Sequence, residues 1–189
     1  MAKKLTRQLL LAAMVAMPAT AFSAGVKFRK LAVPGPVGNM AVTEDGRTLV
    51  VTHTTIHRLT VWDVATAEQL KSIECTSPGA VLCRGGKVFV ANRGEGTITV
   101  FSPGENWEPV DQLESGGLGA VHLSAAGGKH FPGRLLVSCL ETIEGRGDVR
   151  RVHVGEDKNE RLYRDKGVAV AFCEYTGRRG FLLSLSSGW

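Results

Sequence analysis

Lys87-Val88-Phe89-Val90-Ala91-Asn92-Arg93-Gly94, followed by Thr97-Ile98-Thr99-Val100-Phe101, decides the architecture. An apolar run of strand length ends on a polar Asn92, turns through Arg93 to Gly96, and returns as a run in which Ile98 and Val100 alternate with Thr97 and Thr99. Period-two alternation of β-branched residues reads as a sheet surface. In front stand Gly79-Ala80-Val81-Leu82-Cys83 and the turn Arg84-Gly85-Gly86, whose glycines accept the positive φ that a tight hairpin demands. Behind, Pro109 to Glu114 supplies a fourth short strand.

The same order recurs on both sides. Leu49-Val50-Val51-Thr52-His53 corresponds upstream and Leu135-Leu136-Val137-Ser138-Cys139 downstream, each preceded by a short strand with a Gly-containing turn and followed by a third strand. Asn92 follows His53 by 39 positions, and Phe101 follows Trp62 by the same 39. Cys139 follows Asn92 by 47, the surplus falling in the Gly127 to Gly133 turn. A period of about 40–45 residues with four strands per unit is that of a propeller blade. One such sheet cannot bury both faces alone, and stacking on the next unit buries them. Leu59 and Val61 on one face, Thr60 and Trp62 on the other, fit that demand.

The expected fold is therefore all-β, with β-propeller-like blades at about 35–75, 76–115 and 116–166. A partial unit follows at 167–189, where Val168 to Phe172 and Phe181 to Leu185 read as two strands. A closed ring of four blades needs roughly 160–180 residues, so an incomplete propeller is expected. It would either self-associate through exposed blade edges or represent a truncated gene product.

Upstream of the repeats, Lys3, Lys4 and Arg7 precede an apolar run from Leu9 to Met17 and a small-residue stretch from Ala19 to Ala24. This is the order of a secretory signal peptide, assigned to residues 1–23, with cleavage after Ala21 or after Ser23. The run is shorter than the ~20 residues a membrane-crossing helix needs. No stable membrane span is expected after its removal, and a periplasmic or secreted location is. The 23 Lys and Arg against 18 Asp and Glu lose three cations and no acid with residues 1–23. A basic surface for nucleic acid is therefore not expected.

The segments Thr43 to His53 and Lys87 to Gly94 with Thr97-Ile98-Thr99-Val100 resemble the YVTN family of bacterial β-propellers. There a D-G turn, a Y-V-T-N or Y-V-A-N strand end and a T-I-S-V strand recur in each blade. Val61-Trp62-Asp63-Val64 is similar to the end of a WD40 or YVTN blade. His53 and Cys139 stand where the family has Asn. The resemblance covers residues 35 to 155 and implies the fold rather than a function. Because related propellers include lactonases and subunits of periplasmic amine dehydrogenases, a propeller enzyme or enzyme subunit, or a non-functional relative of one, is the alternative to a binding or scaffolding module of the cell envelope.

The loops after the second strands and the links between blades are expected to open on one face. That selects His53, His57, Asn92, Arg93 and Glu141 as candidate ligand-binding residues for a protein or small-molecule partner, with Asn92 also placed to satisfy turn backbone. The charged stretch from Glu141 to Lys166 reads as a solvated long loop and outer strand. G-x-S-x-G, H-E-x-x-H, P-loop and C-x-x-C-H motifs are absent from the sequence, and neither a catalytic residue, a metal nor a cofactor is expected. Cys75, Cys83, Cys139 and Cys173 form no C-x-x-C pair. Cys75 and Cys83 flank the Ser77-Pro78-Gly79 turn and are the candidate disulfide, against the alternative of small buried hydrophobes.

Overall fold

Turn chemistry sets the frame. The computed structural model describes residues 30–104, 106–125, 133–141, 147–164, 169–175 and 181–186, so residues 1–23, where a signal peptide is expected, and Trp189 lie outside the described residues. At Thr43 to Thr48, the Asp45 carboxylate accepts from the Thr43 hydroxyl at 2.7 Å and the Arg47 N–H at 3.0 Å, while Gly46 takes φ +73°. Those two hydrogen bonds hold the Asp45 carboxyl below its usual range. Between the paired residues Arg84 and Lys87, Gly85 and Gly86 take φ +59° and +68°. Two positive φ values in a two-residue loop make the turn whose twist matches antiparallel strands.

These turns fold the chain into successive meanders. β1 (Asn39–Val42), β2 (Thr48–His53), β3 (Arg58–Asp63) and β4 (Gln69–Glu74) form one antiparallel sheet in chain order. β5 (Pro78–Arg84), β6 (Lys87–Asn92), β7 (Thr97–Phe101) and β8 (Pro109–Glu114) form the second. β9 (Leu118–Ala125), β10 (Arg134–Glu141), β11 (Asp148–His153) and β12 (Asn159–Arg164) form the third. β13 (Ala169–Tyr175) and β14 (Phe181–Ser186) pair as a two-stranded sheet. The first strands β1, β5, β9 and β13 contact one another in series, and β4 and β8 are almost wholly exposed. First strands therefore line the inside and fourth strands the outside. Among the described residues no helix is long and apolar enough to cross a membrane.

The core lies between sheets. Val50, Leu59 and Val61 on one face of the first sheet meet Val81, Val88, Val90 and Phe101 of the second. The other face of the second sheet, with Phe89, Ala91, Ile98 and Val100, meets Leu123, Leu135, Val137 and Val152 of the third. Burying each large side chain stabilises by about 1.5–3 kcal/mol, and Leu59, Phe89, Ile98 and Leu135 are all fully buried. Trp62 and Trp107 are buried too, as packing residues.

Within the charged stretch the expected third and outer strands are present as the β11–β12 hairpin, residues 148–164, and cross-strand ion pairs join Arg151 to Glu160 at 3.2 Å and Arg161 to Asp148 at 3.1 Å. Oppositely charged neighbours across an antiparallel pair support the strand pairing that a run of single-sign charge would oppose.

Candidate functional site

Three residues of the second strands stand at equivalent places, His53 and Asn92 as the last residue of β2 and β6 and Cys139 two before the end of β10. His53 pairs with Arg58, Asn92 with Thr97 and Cys139 with Asp148, each facing the first residue of the next strand. All three side chains are buried, turned toward the preceding blade's side of the sheet rather than outward.

His53 is fully buried, with Nδ1 at 3.0 Å from the Pro36 carbonyl and Nε2 at 2.9 Å from the Thr60 hydroxyl. A carbonyl only accepts, so Nδ1 carries the proton and Nε2 accepts from Thr60. Thr60 in turn accepts from the Trp62 indole N–H at 2.8 Å. The result is a one-way donor chain from Trp62 through Thr60 and His53 to Pro36. In the second blade Asn92 Nδ2 donates to Thr97 Oγ1 at 3.0 Å and Thr99 Oγ1 at 2.8 Å. Its side chain thus binds strand hydroxyls instead of turn backbone. In the third blade Cys139 Sγ lies 3.7 Å from the Gly117 carbonyl. Asp148 opposite it takes Arg150 Nε at 2.9 Å and Arg161 Nε at 3.1 Å on the same Oδ2. One structural position thus carries three chemistries, each tying the loop end of a blade together.

His57 serves a link between blades. It sits at φ +52° after the one-turn 3-10 helix Thr54–Ile56, and its Nδ1 accepts from the Ser77 N–H at 3.0 Å while its carbonyl accepts from Cys75 N–H at 3.0 Å. Glu141 ends β10 opposite Leu118. Strand β10 therefore runs further than the loop expected there, and the Glu141 side chain lies outside the described residues.

Arg93 differs from the others. Its N–H donates to the Ser77 carbonyl at 3.0 Å and its carbonyl accepts from the Gly119 N–H at 2.8 Å, so its backbone is stapled between two successive blade links. Its stem crosses Gly79, where a Cβ would lie 2.5 Å from Arg93 Cγ. With Gly38, Asn39, Thr54, Ala80 and Val121 it lines a cavity of about 90 Å³ at the loop end of the inner strands. Among the described residues it makes no ion pair, and no acidic side chain lines that cavity. A larger concavity of about 390 Å³ lies at the outer strands between β8 and the β11–β12 turn, lined by Asp111, Glu114, Glu156 and Lys158 among others. Among the described residues no group of three His, Cys, Asp or Glu side chains is arranged to hold a metal ion. Sequence reasoning grouped Arg93 with the loop polar residues but had no signal for Gly38 and Asn39. They reach the cavity only because β1 lies beside β5.

Cys75 and Cys83 are free thiols. Cys75 sits by the His57 loop, whereas Cys83 precedes the Gly85-Gly86 turn at the opposite end of β5. Pro78 and Cys83 are five strand steps apart, about 16 Å, well beyond the roughly 4.4–6.8 Å between Cα atoms that a disulfide allows. Burial pushes the Cys75 and Cys83 thiols up to about 11 and Cys139 up to about 12, with the Asp148 charge adding to the last. A folded pKa above the ordinary 9.0 means the stability from keeping these thiols neutral is full below pH 9 and is lost as pH rises toward 11 to 12. At pH 8, iodoacetamide is expected to leave Cys83 and Cys139 unlabelled in the folded chain and to label both in urea. Peptide mapping reads this, and rapid labelling of Cys139 in the folded chain would contradict it.

No family model and no curated protein sequence matches the chain. Solved structures do. Hydrazine synthase from Kuenenia stuttgartiensis superposes with a TM-score of 0.61 and 14% identity over 87% of this chain and 49% of its own. The dihydro-heme d1 dehydrogenase NirN, solved in complex with DHE, gives 0.63 and 17% over 87% of this chain and 36% of its own. The β-propeller domain of Cps50 (Swd1) from Myceliophteria thermophila gives 0.63 and 11% over 84% of this chain and 51% of its own. At these identities the likeness concerns the fold: the chain is similar to β-propeller proteins, is all-β with three four-stranded blades, and spans from about a third to about a half of the chains it matches.

Proposed function

We propose that this chain is an exported β-propeller of the YVTN kind that acts as a binding or scaffolding module of the cell envelope, with its ligand at the loop end of the inner strands. The observation that carries the reading is Arg93. It is held at that end by two backbone hydrogen bonds and a glycine shelf, and no described acid neutralises it. The other loop-end side chains His53, Asn92 and His57 are engaged in the blades and their links. The order of Lys3, Lys4, Arg7, the Leu9 to Met17 run and the Ala19 to Ala24 stretch supports export.

Self-association belongs to the same reading. The inner strand of the first blade leaves Met40 and Val42 exposed at 58% and 48%. The chain spans 51% of the Cps50 propeller domain, so a second copy joined at the exposed inner-strand residues would bring the blade count to that of one ring.

The chain recovered from a periplasmic fraction tests all of this. Mass spectrometry is expected to find the N-terminus between Phe22 and Gly25 and, after incubation with a periplasmic small-molecule extract, a retained component released unchanged on unfolding. Light scattering is expected to report a dimer. Intact Met1 in the cytosol overturns export, conversion of an extract component into a new mass overturns binding without catalysis, and a cooperatively unfolding monomer overturns self-association.

A further inference from the structure

We infer that the cradle around Arg93 binds an anionic head group, a carboxylate or phosphate carried by a small ligand. The inference rests on the binding-module reading and adds the chemistry that is recognised. Its strongest support is internal to the chain. Arg150 in the third blade also lies over a glycine, Gly116 of the β8–β9 link, where its Cδ, Nε and Nη1 occupy the space a Cβ would need. There the guanidinium is met from within the fold by the buried Asp148 carboxylate at 2.9 Å. At Arg93 it is the Cγ and Cδ stem that lies over a glycine, Gly79 of β5, and Arg93 lines the cavity with no described carboxylate beside it. An external anion would do at Arg93 what Asp148 does at Arg150.

The remaining lining agrees with that sign of charge. Asn39 Oδ1 accepts from the Met40 N–H at 2.7 Å, which leaves its amide NH2 as the group available to a ligand. Gly38 and Gly79 keep the floor low: a Cβ on Gly38 would come within 2.8 Å of Thr54 Oγ1. A cavity of about 90 Å³ accommodates one carboxylate or phosphate group, with the rest of the ligand outside. Guanidinium recognises such groups through two parallel charge-assisted hydrogen bonds. The backbone staples to Ser77 and Gly119 reduce the ordering that binding would otherwise require.

Amide NMR titrations of the mature chain with sodium succinate and, separately, sodium phosphate, at ionic strength balanced with sodium chloride, test the inference. Saturable shifts are expected at Gly38, Gly79, Arg93 and Val121, with affinity at least about tenfold weaker in Arg93→Gln and partly restored in Arg93→Lys, which keeps the charge but loses the planar fork. Gly79→Ala is expected to weaken binding by displacing the Arg93 stem, and Arg93→Gln carries the test where the alanine variant fails to fold. Saturation by only one anion assigns the head group. Linear, unsaturable shifts, or equal affinity in Arg93→Gln, overturn the site. An extract component retained equally by wild type and Arg93→Gln leaves the binding module standing and removes the anion site. Succinate saturation without any retained component does the reverse.

Discussion

Truncating Asp148 to alanine is expected to destabilise the fold by about 3–5 kcal/mol, the range for removing one partner of a buried ion pair. The Asp148 side chain is fully buried and that of Arg150 is only 14% exposed, so the variant strands a guanidinium between the second and third blades. Arg161 shares the same carboxylate oxygen but is 39% exposed. Water takes over its solvation, and Arg161→Gln is expected to cost less than about 1 kcal/mol. Asp148→Ala combined with Arg150→Met should recover much of the loss, because the methionine stem can lie over Gly116 with no charge left behind. Urea unfolding of the four proteins decides this. Asp148→Ala costing under 1 kcal/mol, or Arg161→Gln costing as much as Asp148→Ala, would show that the pair is not the tie between these blades.

The blades were legible because their signals are local. Strand alternation and the Asp-Gly and Gly-Gly turns depend on chain neighbours, the 39-residue spacing between His53 and Asn92 repeats that local pattern, and the sheets carry it as paired strands. The polar positions were harder, since a polar residue at a strand end reads the same whether it faces solvent or the next blade. His53 and Asn92 point into the blades because Thr60 and Thr99 lie across from them on the same face, hydroxyls that a loop-based reading does not connect to them. Asp148 was hidden within a run of mixed charge whose average looks solvated, although its side chain is fully buried. Arg93 could be placed on the right face from the repeat. Its isolation from acids depends on which strands line the cavity, a long-range property of the stacking.

The donor chain of the first blade gives the sharpest check on this view of strand-end residues. His53→Ala removes a fully buried ring and leaves the Pro36 carbonyl and the Thr60 hydroxyl without their partners. Cavity and lost hydrogen bonds together are expected to cost about 2–4 kcal/mol. Thr60→Val keeps the shape but withdraws the acceptor from the Trp62 indole and the donor from His53 Nε2, at about 1–3 kcal/mol. Both changes break one shared chain, so their costs should not add, and a double-mutant cycle is expected to show a coupling of about 0.5–3 kcal/mol. Tryptophan fluorescence, with Trp62 and Trp107 both buried, follows unfolding. Nitrogen NMR of the ring should find the proton on Nδ1 in the wild type, as the acceptor-only Pro36 carbonyl requires. Additive costs together with a proton on Nε2 would mean that His53 is held by something other than this chain, and would return it to the group of residues free to meet a ligand.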